Sequence, residues 1–293
     1  MQLLRFVVHG TVAQVGRRRR IPNGTFGLLA LGLVVVVVYV FGRRGLRRSP
    51  TRAPAAAEGS PHLELGLPRD GDDSDDLLLR RRQYVVSYNP QRHVANWASW
   101  RLSSLDLGSV ARHKGEFLSD PSLPNGVLRV SHRDYSRSGF DRGHLVRSAD
   151  RTASREDNDA TFFMTNVVPQ RHALNEGAWL RLEEHCVKLA KAGKQLFVLA
   201  GPVFSDPKHG PTIGPGVRVP ELLFKIVVVL EPGQGRADVR ADTTVIAVAM
   251  PNVDDAKPSW EAYRTTVDAL EARTGYDFLD AVDVGIQAVV ESR

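Results

Sequence analysis

The chain is poor in sulfur chemistry and in metal-site signatures. Its 293 residues contain one cysteine, Cys186, so no disulfide can close within the chain, and the thiol reads as a packing residue. None of its nine histidines falls in an HExxH or HxH pair, which removes the usual zinc signatures. No internal repeat is present, which excludes solenoids and propellers. Residues 1–52 lack lysine and acid altogether while holding ten arginines, whereas the other 241 residues carry 29 bases against 33 acids. The sequence pI near 9.7 is therefore an N-terminal property and says little about a substrate. An apolar content of 42% excludes wholesale disorder, and the length suits one large core.

What is present begins with a basic segment, residues 1–20. The uncharged run "IPNGTFGLLALGLVVVVVYVF", Ile21 to Phe41, follows. It has the roughly 20 residues that cross a bilayer core, and residues 21–41 are expected to form a transmembrane anchor. A signal peptide is the rival reading, weakened by the lack of a small-residue cleavage site after Tyr39, and a mitochondrial presequence is a third. Arginines flank both ends, so topology stays open. Residues 42–76, rich in Pro, Ala, Gly and Asp, are read as a flexible linker. Within it "DGDDSDD" resembles the start of a calcium loop, but the twelfth position from Asp70 is Arg81 where a bidentate glutamate is required.

Residues 77–293 are expected to form one folded domain. "QYVVSYN" and "ANWASWRLS" predict a hairpin with Trp97 and Trp100 in the core. "VLRVSH" (127–132) and "ATFFMTNVV" (160–168) read as further strands, as do "QLFVLAGPVF" and two runs within 222–251. A helix is predicted from about Ala178 to Ala192, ending at Gly193, and another closes at "ALEARTG". Runs of strands with few helices give an α+β class.

Two clusters carry candidate chemistry. In "SGFDRGHLVRSADR", His144 sits between Arg142 and Arg147, near Asp141 and behind Gly143. Neighbouring cations disfavour the imidazolium, which suits a neutral general base, although a histidine beside arginine is also common on surfaces. In "MTNVVPQRHALNEGAWLRLEE", Asn166, Gln170, Asn175 and Glu183 follow an apolar strand and open an apolar helix. Amide and carboxylate oxygens suit a hydrated Mg²⁺. A helix cap at Asn175, a turn at Gln170 and an exposed Glu183 explain the same residues without chemistry.

The order and spacing of "YSRSGFDRGHLVRSADR", "TFFMTNVVPQRHALNEGAWLRLEEHC" and "FVLAGPVF" closely resemble the DNA/RNA non-specific endonucleases, the ββα-metal or His-Me finger nucleases. The likeness runs from about Tyr84 through "ALEARTGYDFLDAV". It implies a ββα-metal fold around a mainly antiparallel sheet and metal-dependent cleavage of DNA and RNA to 5′-phosphate ends. His144 would be the general base and Asn175 the one direct ligand of a hydrated Mg²⁺, with Mn²⁺ able to substitute. Glu183 would hold metal-bound water, Asn166 would orient the site, and Arg142 would face the phosphate. A further family arginine should precede the aromatic of an F-x-x-D-P segment by four residues. In "ARHKGEFLSDPSLP" that count from Phe117 lands on His113, so Arg112 takes the role only with a one-residue shift.

A site that grips phosphate and water reads no base edge, so little sequence specificity is expected. The partners implied are DNA and RNA, a membrane through residues 21–41, and a second copy as in dimeric relatives; an inhibitor protein is left open. The domain is expected outside the cytoplasm, on a bacterial envelope or, alternatively, at the mitochondrial inner membrane. Two rival functions remain: a membrane-tethered phosphodiesterase on a non-nucleic substrate, and a catalytically weak nucleic-acid-binding protein.

Overall fold

The hairpin expected either side of "PQRH" seeds the largest sheet. Strand β1 (Leu77–Arg80) pairs with β2 (Val85–Asn89), and β2 with β3 (Val94–Leu102), all antiparallel. Asn89 holds the turn, its Oδ1 accepting from the backbone N–H groups of Gln91 and Arg92. In this computed structural model, residues 59–206 and 208–293 are described. The basic segment, the anchor assigned to residues 21–41, and residues 42–58 lie outside them. Among the described residues no helix is long and apolar enough to cross a membrane.

The chain then leaves the sheet for β4 (Asp141–His144), the short helix α1 (Arg155–Ala160) and β5 (Val167–Gln170). A helical turn (His172–Leu174) and a π turn (Asn175–Trp179) lead into α2 (Leu180–Lys191), which stops at Gly193 with φ +91°. Next come β6 (Gln195–Val203), a small ribbon of β7 (Thr212–Ile213) and β8 (Val217–Arg218), then β9 (Leu222–Leu230), β10 (Thr244–Pro251) and β11 (Arg264–Thr265). Helices α3 (Val267–Thr274) and α4 (Val284–Val290) end the fold. The main sheet runs β1-β2-β3-β6-β9-β10-β11, antiparallel throughout, as the α+β reading expects.

Both faces of this sheet are covered, so its central strands are apolar on alternate sides rather than alternately apolar and polar. Leu196, Val198 and Ala200 of β6 join Trp100, Trp179 and Leu182 on one face. Phe197 and Leu199 join Trp97, Phe224 and Phe278 on the other. This is why "QLFVLAGPV" is buried along its whole length.

Three sequence expectations change here. Residues 60–76 are not a free tether. Leu63 and Leu65 are buried against Trp97 and Phe197, and the buried His62 spans Arg82 O (2.8 Å) and the N–H of Arg101 (3.1 Å). Asp75 accepts from Asn89 Nδ2 at 2.7 Å. The two leucines are too few to stand out among Pro, Gly and Asp, yet they help cover one face of the sheet. Residues 127–132 form no strand, because side chains satisfy their backbone instead. Ser119 Oγ donates to Val130 O, and Asp134 accepts from the N–H of Ser131. Likewise only Val167 and Val168 of the run expected at 160–168 enter a strand; Met164–Asn166 is a 3₁₀ turn.

Candidate active site

Strands β4 and β5 and the helix that follows them make a ββα unit. The register pairs Asp141 with Gln170 and His144 with Val167. Residues i and i+2 of a strand share a face, so β4 presents Arg142 and His144 together. Gly143 between them has no room for a side chain. A Cβ there would stand 1.8 Å from Gln170 Oε1 and 2.8 Å from Gln170 Cβ. The glycine of "DRGH" is thus a close-approach residue that lets β5 press against β4.

The unit lines a cleft of about 450 Å³ formed by Arg112, Arg142, His144, Arg147, Asn175 and Glu183, with Glu176, Leu180 and Glu184. His144 stands at its inner wall. The ring lies between Phe117 and Phe162, with centroids 5.0 Å from each, and its Nε2 is enclosed without a hydrogen-bond partner among the described residues. Burial in this aromatic box pushes the imidazole down to about 3, with Arg112 and Arg147 adding to the shift. The group is therefore neutral at ordinary pH. Trp179 Nε1 donates to His144 O at 3.2 Å and ties the strand end to the helix.

Asn175 enters the cleft from the π turn. Its Nδ2 donates to Asp141 Oδ2 at 3.0 Å; a carboxylate only accepts, so the amide nitrogen must face it and the amide oxygen is turned away. Asp141 also meets His172 Nδ1 at 2.9 Å, and that hydrogen bond raises the pKa of His172. Eight residues on, Glu183 is buried, with Oε1 3.3 Å from Lys225 Nζ and Oε2 3.5 Å from Arg147 Nε. Burial raises its pKa, and the two cations oppose that shift. Lys225 is 1% exposed and lies 4.0 Å from the centroid of the Trp179 ring.

Arg142 is fixed along one edge, Nε and Nη2 both donating to His132 O at 3.0 and 2.7 Å. Arg112 lies over the Phe162 ring at 4.9 Å and donates to Ser148 Oγ at 2.6 Å. His113 points elsewhere: its Nδ1 meets Asp159 at 2.8 Å and its ring rests on Phe162, outside the cleft lining. Of the two candidates for the upstream cation, only Arg112 reaches the cleft.

Five of the six residues singled out from sequence thus share one cavity: His144, Arg142, Arg112, Asn175 and Glu183. Asn166 does not line it. Fully buried behind His144, it clamps the chain just beyond, its Oδ1 accepting from Val146 N–H (2.9 Å) and its Nδ2 donating to Val146 O (2.9 Å) and Thr161 O (2.8 Å). Sequence reasoning missed Lys225 and gave Arg147 no role beyond its charge. The signal for Lys225 was a lone lysine in "LLFKIVVVL", which a strand buried on both faces tolerates only with a partner.

Residues 59–285 match the family model "DNA/RNA non-specific endonuclease". A "Nuclease" from Nostoc sp. is 41% identical over 272 residues, covering 90% of this chain and 97% of its own. Mitochondrial endonuclease G of Bos taurus is 32% identical over 275 residues, covering 90% and 86%. A crystal structure described as the EndoG/EndoGI complex, on the mechanism of EndoG inhibition, superposes with a TM-score of 0.63 at 26% identity. It covers 76% of this chain and 91% of that one.

Proposed function

The chain belongs to the DNA/RNA non-specific endonuclease family, and from that premise we propose that the His144 cleft hydrolyses phosphodiester bonds by general-base catalysis beside one hydrated Mg²⁺. The observation that carries this reading is the meeting of His144 and Asn175 in one arginine-lined cavity. A neutral imidazole accepts a proton from the attacking water. Arg142 and Arg112 meet the phosphate oxygens, and Arg142, held by His132 O, is already oriented for it. Asn166 keeps the chain after His144 in place.

The residues fit a hydrated divalent cation. The amide oxygen of Asn175 is turned from Asp141, three carboxylates (Glu176, Glu183, Glu184) border the same cleft, and its volume exceeds that of a hexahydrated ion at about 30 Å³ per water. Asn175 would ligate the ion directly and Glu183 would accept from its water. When bound, such an ion supplies charge stabilisation at the phosphoryl and leaving oxygens, giving 5′-phosphate and 3′-hydroxyl ends. Arginines grip phosphate rather than base edges, so DNA and RNA are both substrates, with little sequence preference.

The test is cleavage of supercoiled plasmid and of RNA by the full chain with Mg²⁺ or EDTA, beside His144→Ala. EDTA should stop both reactions, and the variant should lose at least about 10²-fold in rate with an unchanged circular dichroism spectrum. Parental rates in the folded variant would rule out the assigned base.

A further inference from the structure

On the sheet face away from the cleft, Asp268 and Glu271 of α3 and Glu291 just beyond α4 bring one carboxylate oxygen each to within 4.8 Å of one another. Asp268 and Glu271 are three apart on one helix and so share a face, and the backbone N–H of Asp268 donates to Glu291 O at 3.1 Å, holding the two helix ends together. Glu291 is 5% exposed, and its Oε1 is shut from solvent with no hydrogen-bond partner among the described residues. The charged groups that act on Glu291 are all acids, Glu271, Asp277 and Asp268. A buried, acceptor-only oxygen among like charges needs a cation or a proton to offset its desolvation.

We propose that Asp268, Glu271 and Glu291 form a binding site for Ca²⁺, separate from the catalytic cleft, that pins α4 onto α3. The donor set favours this ion: three carboxylates open to water suit Ca²⁺, which takes roughly 6–8 oxygens in flexible geometry, whereas Mg²⁺ keeps several waters and is usually held by only one or two carboxylates. The exposed Asp268 leaves an opening through which waters complete the coordination. Such a site clamps the last helix against the core and plays no part in bond cleavage.

The experiment uses the full chain carrying Asn175→Ala, so that a cation at the cleft does not enter the measurement. Calorimetric titration with CaCl₂ at pH 7.5 should give one Ca²⁺ per chain, with a Kd of about 10⁻⁴–10⁻³ M. Saturating Ca²⁺ should raise Tm by about 3–6 °C. Adding Glu291→Gln should remove both effects; if that variant does not fold, Asp268→Asn, at an exposed position, should weaken binding at least about tenfold. With Asn175 restored, Asp268→Asn should leave Mg²⁺-dependent plasmid cleavage at the parental rate. No Ca²⁺ heat and no Tm shift in the Asn175→Ala chain, or equal affinity with Asp268→Asn, would overturn the site in favour of a shared proton.

Discussion

The two faces of the main sheet are built on different principles. One buries ions: Lys225, Glu183 and Asp150 lie below 10% exposure beside Trp100 and Trp179, and the cleft opens at their edge. The other, made with Phe224, Phe278, Leu63 and Leu65, is almost wholly apolar inside, with Glu291 buried against the start of α3. Buried ion pairs stabilise little net, because desolvation offsets their attraction, while buried rings contribute directly through their area. The apolar face therefore carries stability, and the ionic face holds functional groups in fixed positions at some cost to it.

This contrast can be broken or sharpened by mutation. Phe224→Ala, which empties a fully buried ring position on the apolar face, should cost about 3–5 kcal/mol in urea unfolding. Cleavage per folded molecule should stay within about twofold of the parent. Lys225→Met on the ionic face should cost less, about 2–3 kcal/mol, because Arg147 still faces Glu183 while Met fills the volume over Trp179. Its cleavage rate should fall by more than the unfolded fraction accounts for. Equal activity losses in the two variants, after correction for folding, would erase the distinction between the faces.

The smallest effect concerns the acid side of the stability profile. His62 is pressed down to about 4, chiefly by burial. An unfolded chain takes up a proton at this residue below about 6.5, and the folded chain does not until about 4, so stability is lost as pH falls through that window. Between pH 7.5 and 5.0 the loss amounts to about 2 kcal/mol. Other groups titrate over the same range, so the comparison is with His62→Gln, whose stability should fall about 2 kcal/mol less than the parent's. Parallel profiles for the two proteins would show that His62 is not held neutral in the apolar cover.

Much of the fold was legible in the sequence because local physics and tertiary packing agree. The turn at Asn89, the amphipathic stretch of α2 and its glycine stop are set by short-range forces, and each formed where the pattern predicted. Residues 127–132 show the opposite case. Their side chains are β-prone, yet side-chain hydrogen bonds took up part of the backbone in place of a strand partner. Residues 60–76 read as a tether because composition does not reveal that a sheet face lies within reach of Leu63 and Leu65.

By itself the sequence determined the chemistry on offer: a histidine among arginines, two amides and a glutamate, and the glycine, Gly143, where β4 meets β5 closely. Residue type and local spacing settle such matters, since they depend on covalent structure and on contacts a few residues apart. Only the tertiary structure decided which of these groups meet. It placed Arg112 rather than His113 in the cleft, set Asn166 behind the site, and put Lys225, 42 residues away in the chain, against Glu183. Those choices follow from the burial of both sheet faces at once, a long-range condition that no local window of sequence contains.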